Sequence, residues 1–576
     1  MARRIVVIGG VAAGPKAAAR ARRLDPAAEI TVVERDAHAS YGACGFPYYV
    51  GGGVARIEEL METPSGVVRD PRFFEQVKDV RLLTRTEAVE IRRDHREVVV
   101  RSLDTGEART LPYDRLILAT GARATAPPIR GLDAPNVFRL KTYSDARRFR
   151  AALDQIADLL KERDLAGDEK ARPLRVAVIG AGLIGLETAE ALQERGEEVT
   201  VVERLPRVLP NADPEVAAHL EKHARSKGIR VLTGVGVREV VVEDGRAVGL
   251  RLPDETIRAD LVLVATGVRP EVDLARAAGL EIGPTGAIWV DEHLRTSDPS
   301  IYAAGDCAEK RHLVTGRPCW IPLGSTANKE GRVAGTNAVL GDVDTFPGVA
   351  GSLVMRFFEL TAARTGLGEA EAREAGFDPV VALVAGPDKP HFMPGAAPIL
   401  VKMIADRGSR RLLGVQAVGR GDVARRVDAA VAAVTAGMTV DQVANLDLVY
   451  APPYSPPMDP LLVAANAVRN KLDGRARGVR PDELRQWQGE GAAPLLVDVR
   501  SPAEHEALPF GNATLIPLGQ LRRRAEDLPR DRPVVLLCKI GLRGYEGQRI
   551  LDGLGFENAS YLEGGVVGWP YEAPDG

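Results

Sequence analysis

Two stretches of the chain repeat one pattern of apolar and polar positions. Ile5–Ile8 is an unbroken apolar run, followed by a glycine turn, a helical run from Pro15 to Leu24, and Ile30–Val33 ending in Glu34. Arg175–Ile179, another glycine turn, Leu186–Arg195 and Val199–Val202 ending in Glu203 keep the same order. Strands this apolar belong to a parallel sheet covered on both faces, so each stretch predicts a β-α-β unit. Two more short strands run into Ala-Thr-Gly: Leu116–Ala119 before Thr120-Gly121, and Leu261–Ala265 before Thr266-Gly267. Duplicated units of this kind predict two nucleotide-binding domains.

From about Pro347 to Asn466 the pattern shifts to short strands such as Ile399–Ile404 and an alanine-rich helix around Val423–Ala436. The charged segment Arg469–Arg480 has few apolar residues and reads as a linker. Beyond it, Leu495–Val499, Val534–Leu537 and the helical stretch between them predict a small α/β domain of roughly a hundred residues.

Composition narrows the partners. The 576 residues carry a formal net charge of −3, with 45% hydrophobic and 27% charged residues, the balance of a soluble globular protein. No basic run points to nucleic acid or to an anionic membrane. No apolar stretch approaches the ~18 residues that span a bilayer. The apolar run after Arg3 and Arg4 stops at Gly9-Gly10, too short for a signal core, and reads as a buried strand. Four cysteines, Cys44, Cys307, Cys319 and Cys538, are too few for a disulfide framework and fit a reducing cytoplasm. Neither they nor the eight histidines have metal-ligand spacing, so no metal site is expected.

The turn Gly180-Ala181-Gly182-Leu183-Ile184-Gly185 is a full G-x-G-x-x-G between strand and helix. Its glycines allow a tight turn and the close approach of a pyrophosphate to the helix N-terminus, where free N–H groups favour anions. Glu203, 23 residues after Gly180, sits where a carboxylate holds a ribose 2′-hydroxyl and repels a 2′-phosphate. NADH is therefore expected over NADPH, with Arg204 weakening the preference. In the first turn, Gly9-Gly10-Val11-Ala12-Ala13-Gly14, Val11 replaces the second glycine. Gly10 is expected to give the same backbone clearance, and Glu34 keeps the ribose partner.

Further on, Thr296–Asp306 (TSDPSIYAAGD) resembles the second FAD fingerprint of two-dinucleotide flavoproteins, which assigns the ribityl chain to Asp306. The order of motifs over the first 330 residues resembles the pyridine nucleotide-disulfide oxidoreductase superfamily. That resemblance implies FAD at Gly9, Gly10, Gly14, Glu34, Thr120, Gly121 and Asp306, and NADH (or NADPH) at Gly180, Gly182, Gly185, Glu203 and Gly267. Six residues after Glu34 begins Ser40-Tyr41-Gly42-Ala43-Cys44-Gly45-Phe46-Pro47, which places Cys44 ten residues after that acid. Two-cysteine reductases carry a second cysteine five residues later, where this chain has Tyr49, so Cys44 has to pair with a substrate sulfur or with oxygen. The thiolate is the reactive form, so Cys44 is expected to need a lowered pKa.

The S-Y-x-x-C-x-x-P string resembles the coenzyme A disulfide reductases and the related persulfide reductases. The resemblance implies a mixed disulfide between Cys44 and CoA, and CoA contacts at Lys16, Arg20, Arg23, Ser40, Ala43 and Asn328. Lys16, Arg20 and Arg23 are spaced to share a helix face, as a phosphate-binding cluster requires. Tyr450–Pro460 (YAPPYSPPMDP) resembles the end of the family's dimerisation domain, which implies a homodimer in which Tyr450 reaches the partner's flavin and cysteine. Met458 stands where the family often has a CoA-touching lysine, and the family's other tyrosine is absent near His391-Phe392. Both departures weaken free CoA disulfide as the substrate. The relatives that reduce peroxide place a histidine where this chain has Ala12, which argues against peroxide but not against oxygen.

At the C-terminus, Asp498-Val499-Arg500, the loop Cys538-Lys539-Ile540-Gly541-Leu542-Arg543 and Leu562–Trp569 resemble a single rhodanese domain. Backbone N–H groups of such a loop form an anion nest, and Arg543 adds positive potential, so Cys538 is expected to be unusually acidic. The usual histidine is missing from Ala507–Gly511. Cys307 and Cys319 have no motif and are expected to pack.

The fold expected is α/β: two Rossmann-like domains, an α+β dimerisation domain and a small α/β rhodanese domain. Residues 1–147 and 256–335 are assigned to FAD, 148–255 to NAD(P)H, 336–468 to dimerisation and 476–576 to the rhodanese domain. The function expected is a cytoplasmic flavoprotein reductase of CoA persulfide, polysulfide or CoA disulfide. An NADH oxidase and a redox-responsive binding protein are the alternatives.

Overall fold

The computed structural model describes residues 2–165, 172–489 and 494–572. It forms two compact units, one of residues 1–206 with 228–349 and the other of 207–227 with 350–576.

The first unit holds two sheets of the same design. In chain order the elements that build it are β1 (Arg4–Ile8), α1 (Ala13–Leu24), β2 (Glu29–Val33), α2 (Phe46–Gly51), β3 (Arg81–Leu83), β4 (Arg115–Leu118), β5 (Arg175–Ile179), α3 (Leu183–Glu194) and β6 (Glu198–Val202). The chain then gives α4 (Pro214–Ser226) to the second unit and returns as β7 (Arg230–Leu232), β8 (Leu261–Val264), β9 (Ile301–Ala303) and α5 (Gly324–Leu340). The first sheet runs β9-β4-β1-β2-β3, all parallel. The second runs β7-β6-β5-β8 with Val137–Phe138 at its edge, also parallel. In both, the order reverses beside the strand that ends in the glycine turn, which opens a crevice at the strands' carboxyl ends.

Small residues set how closely the helices approach. Ala17, Ala18 and Ala21 of α1 are fully buried. A Cβ on Gly331 of α5 would lie 2.3 Å from the Ala13 carbonyl oxygen, and one on Gly335 2.5 Å from that of Ala17. The two backbones touch, so any larger residue at either glycine would push α5 off α1. The short α2 rests on α3 in the same way, with Gly51 against Ala191.

The second unit contains an antiparallel sheet, β10 (Leu353–Phe357), β11 (Leu360–Gly366), β12 (Pro379–Pro387), β13 (Pro398–Asp406) and β14 (Leu412–Gly419), in the order β10-β11-β14-β13-β12. Helices α6 (Val423–Thr435) and α7 (Pro460–Leu472) pack on it. A parallel sheet follows, β15 (Gly478–Val479), β16 (Leu495–Asp498), β17 (Thr514–Leu515), β18 (Val534–Leu537) and β19 (Ala559–Leu562), ordered β15-β19-β18-β16-β17. Its helices include α8 (Pro502–Ala507) and α9 (Leu542–Gly553).

The segment expected to be a linker is structured. Its first residues complete α7, where Lys471 donates to the Val381 carbonyl at 2.7 Å and pairs with the buried Glu563 at 2.5 Å. Its last residue, Arg480, pairs with Glu369 at 2.6 Å, Glu483 at 2.8 Å and Glu215 at 3.4 Å. Two of these carboxylates also hold Lys402, which is fully buried and meets Glu215 at 2.7 Å, Asp213 at 2.9 Å and Glu369 at 3.2 Å. Burial raises the Glu369 pKa, but Lys402 and Arg480 outweigh it and hold the carboxyl down to about 2. Polar composition suggested exposure, whereas Lys471 and Arg480, near the segment's two ends, are matched by carboxylates inside the fold.

Candidate functional site

Both glycine turns are built as the sequence indicated. Gly9 (φ 109°) and Gly180 (φ 107°) take a conformation that side chains resist, and a Cβ on either would strike the carbonyl of Ala119 or Ala265. Gly14 and Gly185 let their helices close on Gly9 and Gly180, where a Cβ would lie 1.9 and 2.0 Å from the carbonyl oxygen. Glu34 accepts from the Gly10 and Asp36 N–H groups at 2.6 and 2.8 Å, and Glu203 from Ala181 and Leu205 at 2.8 Å each. The two acids hold equivalent places at the ends of β2 and β6.

The turns differ at one point. A Cβ on Gly182 would meet nothing within 4 Å, the open space that a pyrophosphate needs. Gly10 does not serve that purpose in the first turn, because a Cβ there would meet the Glu34 side chain at 2.9 Å. The expectation that Gly10 compensates for Val11 is therefore corrected: its missing side chain makes room for the acid. Thr120, with its hydroxyl donating to the Glu271 carbonyl at 2.6 Å, and Gly121 follow β4, and Gly267 follows β8. These positions fit two dinucleotides, one at each crevice.

Asp306 lies just beyond β9, 3.7 Å from the Lys141 ammonium. Its neighbour Gly305 donates to the buried Glu330 at 2.7 Å, which pins the turn to α5. Cys307 is buried and Cys319 is partly buried, as packing residues should be. Burial raises both thiol pKa values, that of Cys319 to about 11.

Cys44 is exposed in the one-turn helix Ala43–Gly45 that leads into α2. Tyr49, five residues on, offers no thiol. Ser40 stands before the turn with φ 54°, its N–H bonded to the Gly10 carbonyl at 2.7 Å, so the cysteine segment is tied to the first glycine turn. The expected lowering of the Cys44 pKa is not found. Partial enclosure pushes the thiol up, Glu187 and Asp306 push the same way, and Lys141 opposes them. These surroundings favour the neutral thiol.

Glu187 is the site residue that sequence reasoning missed. It lies on α3, where burial and Glu190 raise its pKa to about 7. The signal was a carboxylate inside the apolar run Leu183–Leu192 of the second nucleotide helix.

Of the basic residues on α1, Lys16 and Arg23 are exposed, while Arg20 is partly buried and donates to Thr336 on α5 at 3.0 Å. Asn328, Lys329 and Arg332 are exposed on α5, so the packed pair α1 and α5 carries cations from both helices. Asn328 donates to the Gly324 carbonyl at 2.8 Å.

In the second unit Tyr450 is 52% exposed, within a run that also exposes Val449, Tyr454 and Met458. Arg425 holds this run through the carbonyls of Val449 and Tyr454, both at 2.9 Å. Cys538 is buried at the end of β18, and the Gly541 N–H donates to its sulfur at 3.2 Å. A Cβ on Gly565 would strike the loop at the Cys538 carbonyl, 2.4 Å away, so glycine lets the following segment close over it. Arg543, in the first turn of α9, is close enough for its charge to couple to Cys538. Asp498 is buried and accepts from Arg500 at 2.6 Å and from His505 at 2.8 Å, which braces the end of β16.

Comparison with known proteins agrees with this arrangement. Residues 3–331 match the pyridine nucleotide-disulphide oxidoreductase family, 354–460 its dimerisation domain and 480–571 the rhodanese-like domain. The NAD(P)H sulfur oxidoreductase (CoA-dependent) of Pyrococcus furiosus is 37% identical over 81% of this chain and 99% of its own length. A solved NAD-dependent persulfide reductase from A. fulgidus is 44% identical, with a TM-score of 0.90 over 98% of this chain and 100% of that one. Reduced Bacillus anthracis CoADR-RHD is 33% identical, with a TM-score of 0.89 over 99% and 98% of the two chains.

Proposed function

The chain belongs to the pyridine nucleotide-disulphide oxidoreductases, and we propose that within this family it reduces sulfane sulfur carried on coenzyme A, with CoA persulfide as the preferred form and polysulfide or CoA disulfide as related substrates. The observation that carries this reading is a lone exposed cysteine, Cys44, held against a dinucleotide turn and close in sequence to the cations of α1. Bound FAD and NAD(P)H supply the two electrons. The net reaction is NADH + H⁺ + CoA-S-SH giving NAD⁺ + CoA-SH + H₂S. The Cys44 sulfur attacks the inner sulfur of the persulfide, the S–S bond breaks and hydrosulfide leaves; two electrons then cleave the Cys44–CoA disulfide. With no second cysteine five residues away, the disulfide partner has to be the substrate.

Lys16 and Arg23 would hold phosphates, Arg20 would share its guanidinium with Thr336, and Ser40, Ala43 and Asn328 would border the thiol arm. Glu203 would favour NADH over NADPH. We read the exposed 449–458 run as part of a homodimer interface, with Tyr450 completing the partner's site by donating a proton to the leaving thiolate. Cys538 would act as a sulfur carrier, and four unpaired cysteines suit a cytoplasmic setting. The test is anaerobic NADH oxidation with CoA persulfide, polysulfide and CoA disulfide. Sulfide release from the persulfide, matched to NADH consumed, supports the reading. NADH consumption only when oxygen is admitted would replace it with an oxidase.

A further inference from the structure

The loop around Cys538 carries a carboxylate that its proposed chemistry does not call for. Arg543 Nη1 donates to Glu504 Oε2 at 2.8 Å and Nη2 to Oε1 at 2.6 Å, a two-point pair between α9 and α8. The Ser501 backbone N–H and hydroxyl each donate to the same carboxylate at 3.1 Å, fixing it at the start of α8. Arg543 first, and Ser501 after it, hold the Glu504 carboxyl down to about 2, so it is charged at any working pH. Both terminal nitrogens of Arg543 are thus taken by Glu504, although the guanidinium is close enough to couple electrostatically to Cys538. Lys539, the loop's other cation, is exposed, where water and salt screen it. Close in sequence to the two partners are exposed apolar side chains: Leu542, next to Arg543, is 59% exposed, and Leu508, four residues after Glu504, is 54% exposed.

We propose that Glu504, by occupying Arg543, selects the sulfur donor of Cys538, disfavouring dianions such as thiosulfate and favouring persulfides on an uncharged thiol arm. This rests on the reading of Cys538 as a sulfur carrier. With thiosulfate, the Cys538 thiolate attacks the outer sulfur, the S–S bond breaks and sulfite leaves with the electron pair. The leaving group is a dianion and needs a free cation, yet the nearest one is already matched by a carboxylate. With a persulfide R-S-SH, the same attack transfers the terminal sulfur with its proton and releases R-S⁻, a single charge. Leu508 and Leu542 offer contact to an alkyl or pantetheine-like arm and none to the sulfonate end of thiosulfate.

The test uses the full chain, and mass spectrometry measures the rate at which Cys538 gains one sulfur from thiosulfate or from pantetheine persulfide. Removing one charge next to a dianion should raise the thiosulfate-to-persulfide rate ratio by about tenfold in Glu504→Gln, and Glu504→Ala should move it the same way. A ratio that is unchanged or lower in both variants overturns the proposal, since Glu504 then only orients Arg543. Cys538→Ser separates the two levels of the argument. If it gains sulfur as fast as the native chain, the carrier reading itself falls.

Discussion

The two cysteines proposed to handle sulfur, Cys44 and Cys538, sit in contrasting surroundings. Cys44 is exposed on a single helical turn, and the charges acting on it are mainly carboxylates, Glu187 and Asp306, which push its thiol up. Cys538 is buried, with the Gly541 N–H donating to its sulfur and the Arg543 charge coupled to it. The surroundings of Cys44 oppose its ionisation, which suits a cysteine whose reactivity should depend on bound cofactor and substrate. An exposed thiol ready to ionise at all times would be open to stray oxidation.

The largest effect expected from this contrast comes from the cysteines themselves. Cys44→Ser should lower NADH-dependent sulfur reduction by about a thousandfold or more, the scale on which losing a nucleophile acts. Stopped-flow reduction of the flavin by NADH should survive. Cys538→Ser should leave the reduction of CoA disulfide intact, and a matching loss there would mean that the two sites are not separate.

The next effect concerns how the Cys538 domain is held. Lys402→Ala leaves three carboxylates without their buried partner and should cost about 3–5 kcal/mol, read as a lower midpoint in thermal or denaturant unfolding. The pH dependence has a definite sign. The pKa of Glu369 is lowered, so its contribution is present above the ordinary carboxylate range and is lost as pH falls from about 4.5 towards 2. That of Lys402 is raised by Glu215, Asp213 and Glu369 against the effect of burial, so its contribution holds at neutral pH and is lost only in strong alkali.

A smaller effect is expected at the second glycine turn. Glu203→Gln should shift the kcat/KM ratio of NADPH to NADH upward by about tenfold, roughly 1.4 kcal/mol. A native ratio at or above one would show that Arg204 outweighs Glu203. The smallest change is at Glu187. Glu187→Gln removes a carboxylate that raises the Cys44 pKa, so alkylation of Cys44 by iodoacetamide should reach its midpoint at lower pH. The difference between variant and native should grow above pH 7, where native Glu187 is charged, its pKa being about 7. A midpoint that moves upward would assign Glu187 another role.

Much of this was legible in the sequence because period and turn chemistry are local. The apolar runs Ile5–Ile8 and Arg175–Ile179 became β1 and β5, and the glycines after them took the turns expected. The Cys538 loop was equally readable, since a strand, four residues and a helix suffice to build it. What was not legible depends on partners distant in sequence. Arg480 looked solvated because Glu215 and Glu369 lie 265 and 111 positions away (480 − 215 and 480 − 369). The direction of the Cys44 shift follows first from its enclosure and then from Glu187 and Asp306, all of which only folding supplies. Gly10 was misread because its role depends on where the Glu34 side chain turns.

The central claim, that Cys44 works as a lone cysteine through a disulfide with its substrate, has one direct measurement. The protein is mixed anaerobically with CoA persulfide without reductant, quenched in acid, digested, and the Cys44 peptide is weighed by mass spectrometry before and after adding NADH. The account predicts one CoA per chain on Cys44, with hydrosulfide released in equal amount, and loss of that CoA when NADH is added. A Cys44 peptide that stays unmodified while NADH still drives sulfide release would contradict it.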